Sequence, residues 1–336
     1  MAAPDPVVVL LGSPDAPPPP NLAELEKLAV IRHATADDLG TALPGADALV
    51  LWDYFSRALR ENWAAADSLR WIHVCAAGVD SLLFDDLVAS DVVVTNAHGA
   101  FDRPIAEFVL ASILARDKRL HESRELQREH RWQHRETLMA AGRSALVIGT
   151  GGIGREIARL LRAVGIEVTG AGRRARTGDP DFGEVRESAQ LADYVGDFDT
   201  VVVIAPFTAE TENMIDADVL AAMRPDAHLV NVGRGALVDE AALIEALRAG
   251  QIGAASLDVF VTEPLPADSP LWDMDNVSIS AHMSGDVAGW REVIAAQILD
   301  NLRRYADDPD AKLSATLNNV VDKGRGYVVP GGPPTA

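Results

Sequence analysis

Val147-Ile148-Gly149-Thr150-Gly151-Gly152-Ile153-Gly154 is an apolar run that breaks into a G-x-G-x-x-G turn. A strand that ends on such a turn and restarts as a helix carrying Ile157, Ala158 and Leu161 leaves few folds open. It predicts a parallel sheet with crossover helices and a first βα turn shaped for a dinucleotide. Gly149 permits the tight turn, Gly151 lets the backbone approach a pyrophosphate, and Gly154 lets the helix pack on the strand. The helix N-terminus adds unpaired N–H groups and the positive end of its dipole. An ordinary glycine-rich turn is the alternative when such a motif stands alone.

The rest of the chain repeats the alternation. Strands are expected at 7–11, 46–52, 69–74 and 91–95, with helices near 21–28, 57–66 and 81–88 between them. A long helical region is expected from Pro104 through Arg116 to about His134. Further strands are expected at 167–171, 200–205, 227–232, 253–258 and 277–280, with helices at 154–164 and 240–249. One closing helix fits 286–305. The fold class is therefore α/β, with two Rossmann-like or flavodoxin-like parallel-sheet domains separated by a cleft. Residues 1–100 plus 286–322 are expected to form the substrate domain, 101–285 the dinucleotide-binding domain, and 323–336 a disordered Gly- and Pro-rich tail. Hinges are expected near Ala100 and Gly285, with domain closure excluding water.

Composition narrows the partners. The chain has 336 residues, 48% hydrophobic and 24% charged, with a formal net charge of -20. That charge argues against nucleic acid and anionic membrane, and no apolar run approaches the roughly 20 residues of a membrane span. The start, Met1-Ala2-Ala3-Pro4-Asp5-Pro6, has no basic residue ahead of its apolar run, so no secretory signal is expected. One cysteine, Cys75, excludes an intramolecular disulfide and suits a reducing cytoplasm. An anionic substrate would need cations gathered locally against this background.

The end of the second strand bears on the cofactor. An acidic residue about 20 positions past the glycines would bind a ribose 2′-hydroxyl and favour NAD. Here the chain reads Gly170-Ala171-Gly172-Arg173-Arg174-Ala175-Arg176. Arg173 and Arg174 suit a 2′-phosphate through forked, charge-assisted hydrogen bonds, so NADP is expected to be preferred and NAD possible. A solvated basic loop is the alternative.

Three reactive groups follow the glycine turn in order: Arg234 in Asn231-Val232-Gly233-Arg234-Gly235, Glu263 in Asp258-Val259-Phe260-Val261-Thr262-Glu263-Pro264, and His282 after Ala281. In these motifs the chain resembles the D-isomer-specific 2-hydroxyacid dehydrogenases, most strongly from about Ala145 to Gly285. Ala205-Pro206-Phe207-Thr208 with Thr211, Met223-Arg224-Pro225-Asp226-Ala227 and Pro264-Leu265-Pro266 also look like that family. Ala77-Gly78-Val79-Asp80, Val94-Thr95-Asn96 and Ile105-Ala106-Glu107 extend a weaker match into the first domain.

The resemblance implies hydride transfer between a nicotinamide and the 2-carbon of a small 2-keto or 2-hydroxy acid, with glyoxylate or hydroxypyruvate as the guess. The residues support that chemistry. Arg234 can fork onto a carboxylate and polarise the neighbouring carbonyl. An imidazole titrates near working pH, which makes His282 the natural acid and base. Glu263 can fix its tautomer, as the acid of a catalytic triad does. The resemblance further gives the substrate carboxylate to Gly78 and Val79, the pyrophosphate to Gly152 and Ile153, and the cofactor path to Pro206 and Thr211. It gives the nicotinamide end to Val232 and Gly233, and the carboxamide to Asp258, for which a strand-end turn is the alternative. It also implies a homodimer, with Trp132 in the charged 116–136 stretch as an anchor.

Departures from the family bear on specificity. Ala281 replaces a frequent proline, Asn96-Ala97-His98-Gly99 replaces Asn-x-Pro-Gly, and Phe108 follows Glu107 where histidine is frequent. His98 is thus either a substrate contact or a surface histidine. His130 and His134 have the spacing of a metal pair on a helix, but without a third ligand no metal is expected. Two other readings stand beside the keto-acid reductase: a nucleotide-sensing binding protein, and a dehydrogenase of another small anion such as phosphite. Glu263 argues against a formate dehydrogenase, which has glutamine there. No regulatory extension is seen after the closing helix, which disfavours the larger phosphoglycerate dehydrogenases.

Overall fold

The computed structural model describes residues 5–14, 16–308 and 311–328. Two compact units result, Met1–Phe101 with Ala288–Ala336, and Asp102–Val287. In the first, β1 (Val7–Leu11), β2 (Val30–Ala34), β3 (Ala48–Leu51), β4 (Trp71–Val74) and β5 (Val93–Asn96) form a parallel sheet in the order β2-β1-β3-β4-β5. Short helices α1 (Leu22–Leu25), α2 (Leu39–Ala42), α3 (Ala58–Glu61) and α4 (Asp85–Ala89) lie in the crossovers. All four residues of β3 and of β4 are buried, as continuous apolar strands covered on both faces should be. β2 was not anticipated. It is an edge strand, Val-Ile-Arg-His-Ala, with only Ala34 buried, so it carries no apolar run to read.

The second unit begins with α5 (Asp102–Asp117) and α6 (Leu120–Arg128). The expected continuous helix to His134 is corrected: Arg119 takes a left-handed φ of 52°, which breaks it, and the helix ends at Arg128. His130 stands beyond that end with a φ of 55°, so His130 and His134 do not share a helix face. Residues 131–139 instead run as an irregular arm. Leu138 N–H to Asp117 O at 3.0 Å and Lys118 Nζ to Leu138 O at 2.6 Å hold it to the end of α5.

The arm leads into β6 (Ser144–Ile148), α7 (Gly152–Ala163), β7 (Glu167–Gly172), β8 (Arg176–Asp179), β9 (Gly183–Glu187), α8 (Leu191–Tyr194), β10 (Thr200–Val203), α9 (Ala217–Ala222), β11 (His228–Asn231), α10 (Glu240–Arg248), β12 (Ala254–Leu257) and β13 (Val277–Ile279). The sheet order is β13-β12-β11-β10-β6-β7-β9-β8. Every pairing is parallel except β8 with β9. The chain leaves β6 to one side for β7 and β9, then returns to the other side for β10, so β6 and β10 flank the topological switch point. Between β7 and β9 the chain turns through β8 rather than a helix. α5 packs on α7, burying Ile105, Val109 and Ile113 on one and Ile157, Ala158 and Leu161 on the other.

The chain then returns to the first unit through α11 (Trp290–Asp307), shorter at its start than expected, and α12 (Leu313–Thr316). α11 buries Ile294, Ile298, Leu302 and Tyr305, and the Tyr305 ring stacks on Trp71 of β4 at 6.0 Å. The tail expectation is corrected in part. β14 (Val321–Asp322) and β15 (Tyr327–Val328) pair as a hairpin, and Lys323 Nζ donates to Leu87 O and Ser90 O. Residues 329–336 lie outside the described residues.

Candidate active site

Parallel strands end together, so the loops that follow β6, β7, β10, β11, β12 and β13 gather at one edge of the second unit's sheet. The glycine turn follows β6. Gly149 has a φ of 117°, and a Cβ there would stand 2.6 Å from Ile204 O. A Cβ on Gly154 would run into the Gly149 carbonyl oxygen, so helix and turn touch through backbone alone. Gly151 precedes α7, and Gly152, Ile153 and Gly154 form its first turn, with N–H groups at the helix start. This glycine-rich turn at a helix N-terminus fits a dinucleotide pyrophosphate.

The arginine turn follows β11. Asn231 is 1% exposed, and its side chain spans the turn: Nδ2 donates to Arg234 O at 3.0 Å and Oδ1 accepts from Gly233 N–H at 3.1 Å. Arg234 Nη1 donates to Gly233 O at 2.8 Å, which orients the fork. Gly235 comes next, and a Cβ there would collide with the Phe260 carbonyl. That close approach brings the arginine turn against the segment leading to Glu263. Val232 and Gly233 are buried at the same turn. Asn231 had been given no task from sequence; its place one turn before an arginine is the only signal it offers.

Glu263 and His282 are brought together, with Glu263 Oε2 2.7 Å from His282 Nδ1. Glu263 Oε1 accepts from Phe260 N–H at 2.9 Å, so both carboxylate oxygens are held. Burial pushes the Glu263 carboxyl up, but the His282 hydrogen bond, the Phe260 N–H and the charges of His282 and Arg234 outweigh it. The carboxyl is therefore held below its ordinary range. With Nδ1 on Glu263, Nε2 is the ring atom that can exchange a proton with a reactant.

His282 has a left-handed φ of 51°. Asp258 holds that conformation: its O accepts from His282 N–H at 2.8 Å, and its carboxylate accepts from Met283 N–H and Ser284 N–H, each at 3.0 Å. Its residue exposure is 0%. Asp258 thus braces the backbone that carries His282. Pro206 and Thr211 lie together after β10, with Thr211 Oγ1 donating to Pro206 O at 2.8 Å. Arg173 and Arg174 are exposed in the connection from β7 to β8. Gly78 and Val79 belong to the first unit, after β4, where Asn96 Nδ2 holds the neighbouring Ala77 O. His98 follows β5, and its carbonyl accepts from Gln297 and Asn319. Cys75 is buried. Among the described residues, no group of three metal-ligating side chains gathers, and no helix is long and apolar enough to cross a membrane.

Known proteins have similar sequences and folds. A family model described as D-isomer specific 2-hydroxyacid dehydrogenase, NAD binding domain, matches residues 110–284. D-3-phosphoglycerate dehydrogenase of Mycobacterium bovis is 32% identical over 80% of this chain and 50% of its own length. The chain thus spans about half the length of such curated relatives. A D-isomer specific 2-hydroxyacid dehydrogenase from Xanthobacter autotrophicus Py2, solved with NADPH and MES, has a TM-score of 0.79 at 31% identity, covering 95% of this chain and 99% of its own. An NADPH-dependent glyoxylate/hydroxypyruvate reductase from Sinorhizobium meliloti, solved with NADP and sulfate, gives 0.79 at 27% identity, covering 96% and 100%. The family model spans the glycine turn, Arg234, Glu263 and His282 in one match, and the chain belongs to the D-isomer specific 2-hydroxyacid dehydrogenase family.

Proposed function

We propose that the protein is an oxidoreductase that reduces a small 2-keto acid to its 2-hydroxy acid, with NADP as the preferred cofactor. The observation that carries this reading is the 2.7 Å pair of His282 and Glu263 beside the arginine turn. A bound reduced nicotinamide supplies the hydride. Arg234 forks onto the substrate carboxylate and draws charge from the carbonyl. His282 delivers a proton from Nε2 to the forming alkoxide, and takes one from the alcohol in the reverse direction. Glu263 keeps the ring oriented through its hydrogen bond to Nδ1. The proposal gives Gly78 and Val79 a share of the carboxylate through their N–H groups. An acid–base pair built this way favours turnover over a cofactor sensor, which needs no proton donor.

Glyoxylate and hydroxypyruvate are the proposed acids, by analogy with the Sinorhizobium meliloti neighbour. Loss of reduced-nicotinamide absorbance with NADPH or NADH, against these acids and pyruvate, tests the reading. Tight cofactor binding without turnover on any of them would defeat it. Arg173 and Arg174 support the NADP preference. Changing both to alanine should raise the KM for NADPH about 10- to 100-fold, the scale of losing one or two charge-assisted bonds. The KM for NADH should change little; equal losses would remove the preference from these residues.

We also propose a homodimer, assembled through the 131–139 arm. Trp132 is fully exposed, and Leu120, Leu138 and Met139 of the same 120–139 segment are exposed as well, apolar side chains that a second copy would cover. Light scattering should give about twice the chain mass of 35.8 kDa. Trp132→Ala should shift the protein toward the single-chain mass, and an unshifted dimer would place the contact elsewhere.

A further inference from the structure

The first carboxylates after β7 are Asp179 and Asp181, the residue type that can accept from a ribose hydroxyl. The structure gives them another task. Arg155, in the first turns of α7, places Nη1 and Nη2 on the two Asp179 oxygens at 3.0 and 3.1 Å. Arg176 of β8 donates from Nε to Oδ2 at 2.9 Å. Asp181 N–H and Phe182 N–H donate to Oδ1 at 3.1 and 3.3 Å. The Asp179 side chain is 3% exposed. Asp181 in turn pairs with Arg155 at 2.6 Å and with Arg159 at 2.7 Å.

This cluster ties β8 and the β8–β9 turn to α7, the helix whose start forms the nucleotide turn. The connection it tethers, residues 173–175, begins beside that turn: a Cβ on Gly172 would stand 3.3 Å from Thr150 Oγ1. The far end of that connection, Arg176, is anchored on a carboxylate that faces two guanidinium groups and two backbone N–H groups. Burial pushes the Asp179 carboxyl up, but those partners hold it well below the carboxylate range, so it stays charged at working pH.

We propose that Asp179 is a positioning residue for cofactor selectivity: by anchoring Arg176 to Arg155 it holds the Arg173–Arg174 loop where a cofactor's 2′-phosphate binds. This rests on the reading of Arg173 and Arg174 given above. It makes a prediction of sign. By charge alone, removing a carboxylate near a phosphate site tightens the phosphate, because a like charge is gone. If the carboxylate acts as an anchor, removing it loosens the phosphate.

The test measures binding of adenosine 2′,5′-bisphosphate and of 5′-AMP to the full chain by calorimetry. Asp179→Asn should weaken the bisphosphate about tenfold, the scale of one lost charge-assisted bond, and 5′-AMP less than about twofold. In an Arg173→Ala/Arg174→Ala background the same change should add nothing, because the loop then has no cations to position. Arg176→Gln leaves the Arg155 pair intact and should act in the same direction, which carries the test if Asp179→Asn does not fold. Tighter or unchanged bisphosphate binding, equal loss of both ligands, or additivity with the double variant overturns the anchor. A wild type that binds both ligands equally overturns the NADP reading and the anchor's purpose with it. A wild type that prefers the bisphosphate, with Asp179→Asn binding it more tightly, overturns the anchor alone.

Discussion

His282→Asn is expected to lower turnover by about 10²- to 10⁴-fold, the usual contribution of a positioned acid or base. Asparagine is the informative replacement because His282 has a φ of 51°. Asparagine tolerates that left-handed conformation better than most residues, whereas alanine would add backbone strain to the chemical loss. The Asp258 contacts to the backbone at 282–284 are untouched by the change. NADPH binding, followed by fluorescence or calorimetry, should therefore stay within about twofold. Retained turnover would take His282 out of the acid–base role. Loss of NADPH binding would instead say that the loop had collapsed.

The same pair sets an expectation for pH. The Glu263 carboxyl lies below its ordinary range in the fold. A depressed folded value means that its contribution to stability is fully present above the unfolded value and is lost as pH falls through the folded one. Glu263 thus stays charged across the whole range in which an imidazole titrates. A kcat/KM profile between about pH 5 and 9 should then show the acid–base group and no second limb from Glu263.

The site was largely legible in the sequence because its chemistry sits on residue types that have few other reasons to occur in that order. A glycine turn after an apolar strand, then arginine, glutamate and histidine at successive strand ends, name a sheet edge without any coordinates. Two of the missed strands share a physical cause. β2 and β8 are edge strands, and edge strands carry polar residues because one side of each pairs with nothing. Asp179 and Asp181 sit on or beside β8, so overlooking that strand hid the ion-pair cluster as well. The helix expected to run to His134 failed at Arg119, where nothing in Lys118-Arg119-Leu120 signals a break. Asp258 also braces the histidine loop, a task that shows only once the backbone of 282–284 is placed beside it.

Arg234→Lys tests whether geometry or charge does the work at the arginine turn. Lysine keeps the positive charge but replaces a rigid planar fork by a point charge on a flexible stem. The structure fixes that fork twice, through Arg234 Nη1 on Gly233 O and through Asn231 pinning the turn itself. Such bracing is of use only if the direction of the N–H groups matters. We expect kcat/KM for the keto acid to fall about 10²- to 10³-fold in Arg234→Lys, the scale of losing one preorganised donor at a developing oxyanion. Arg234→Gln should lose more, because it also removes the charge that meets the substrate carboxylate. That charge helps to hold the Glu263 carboxyl down, so the glutamine variant should bring the Glu263 titration up toward the ordinary range and the lysine variant should not. A rise of the Glu263 titration in Arg234→Gln alone, followed by NMR of the carboxyl carbon, separates the two contributions. If Arg234→Lys retains near-native kcat/KM, charge is sufficient, and the forked recognition of the carboxylate is wrong.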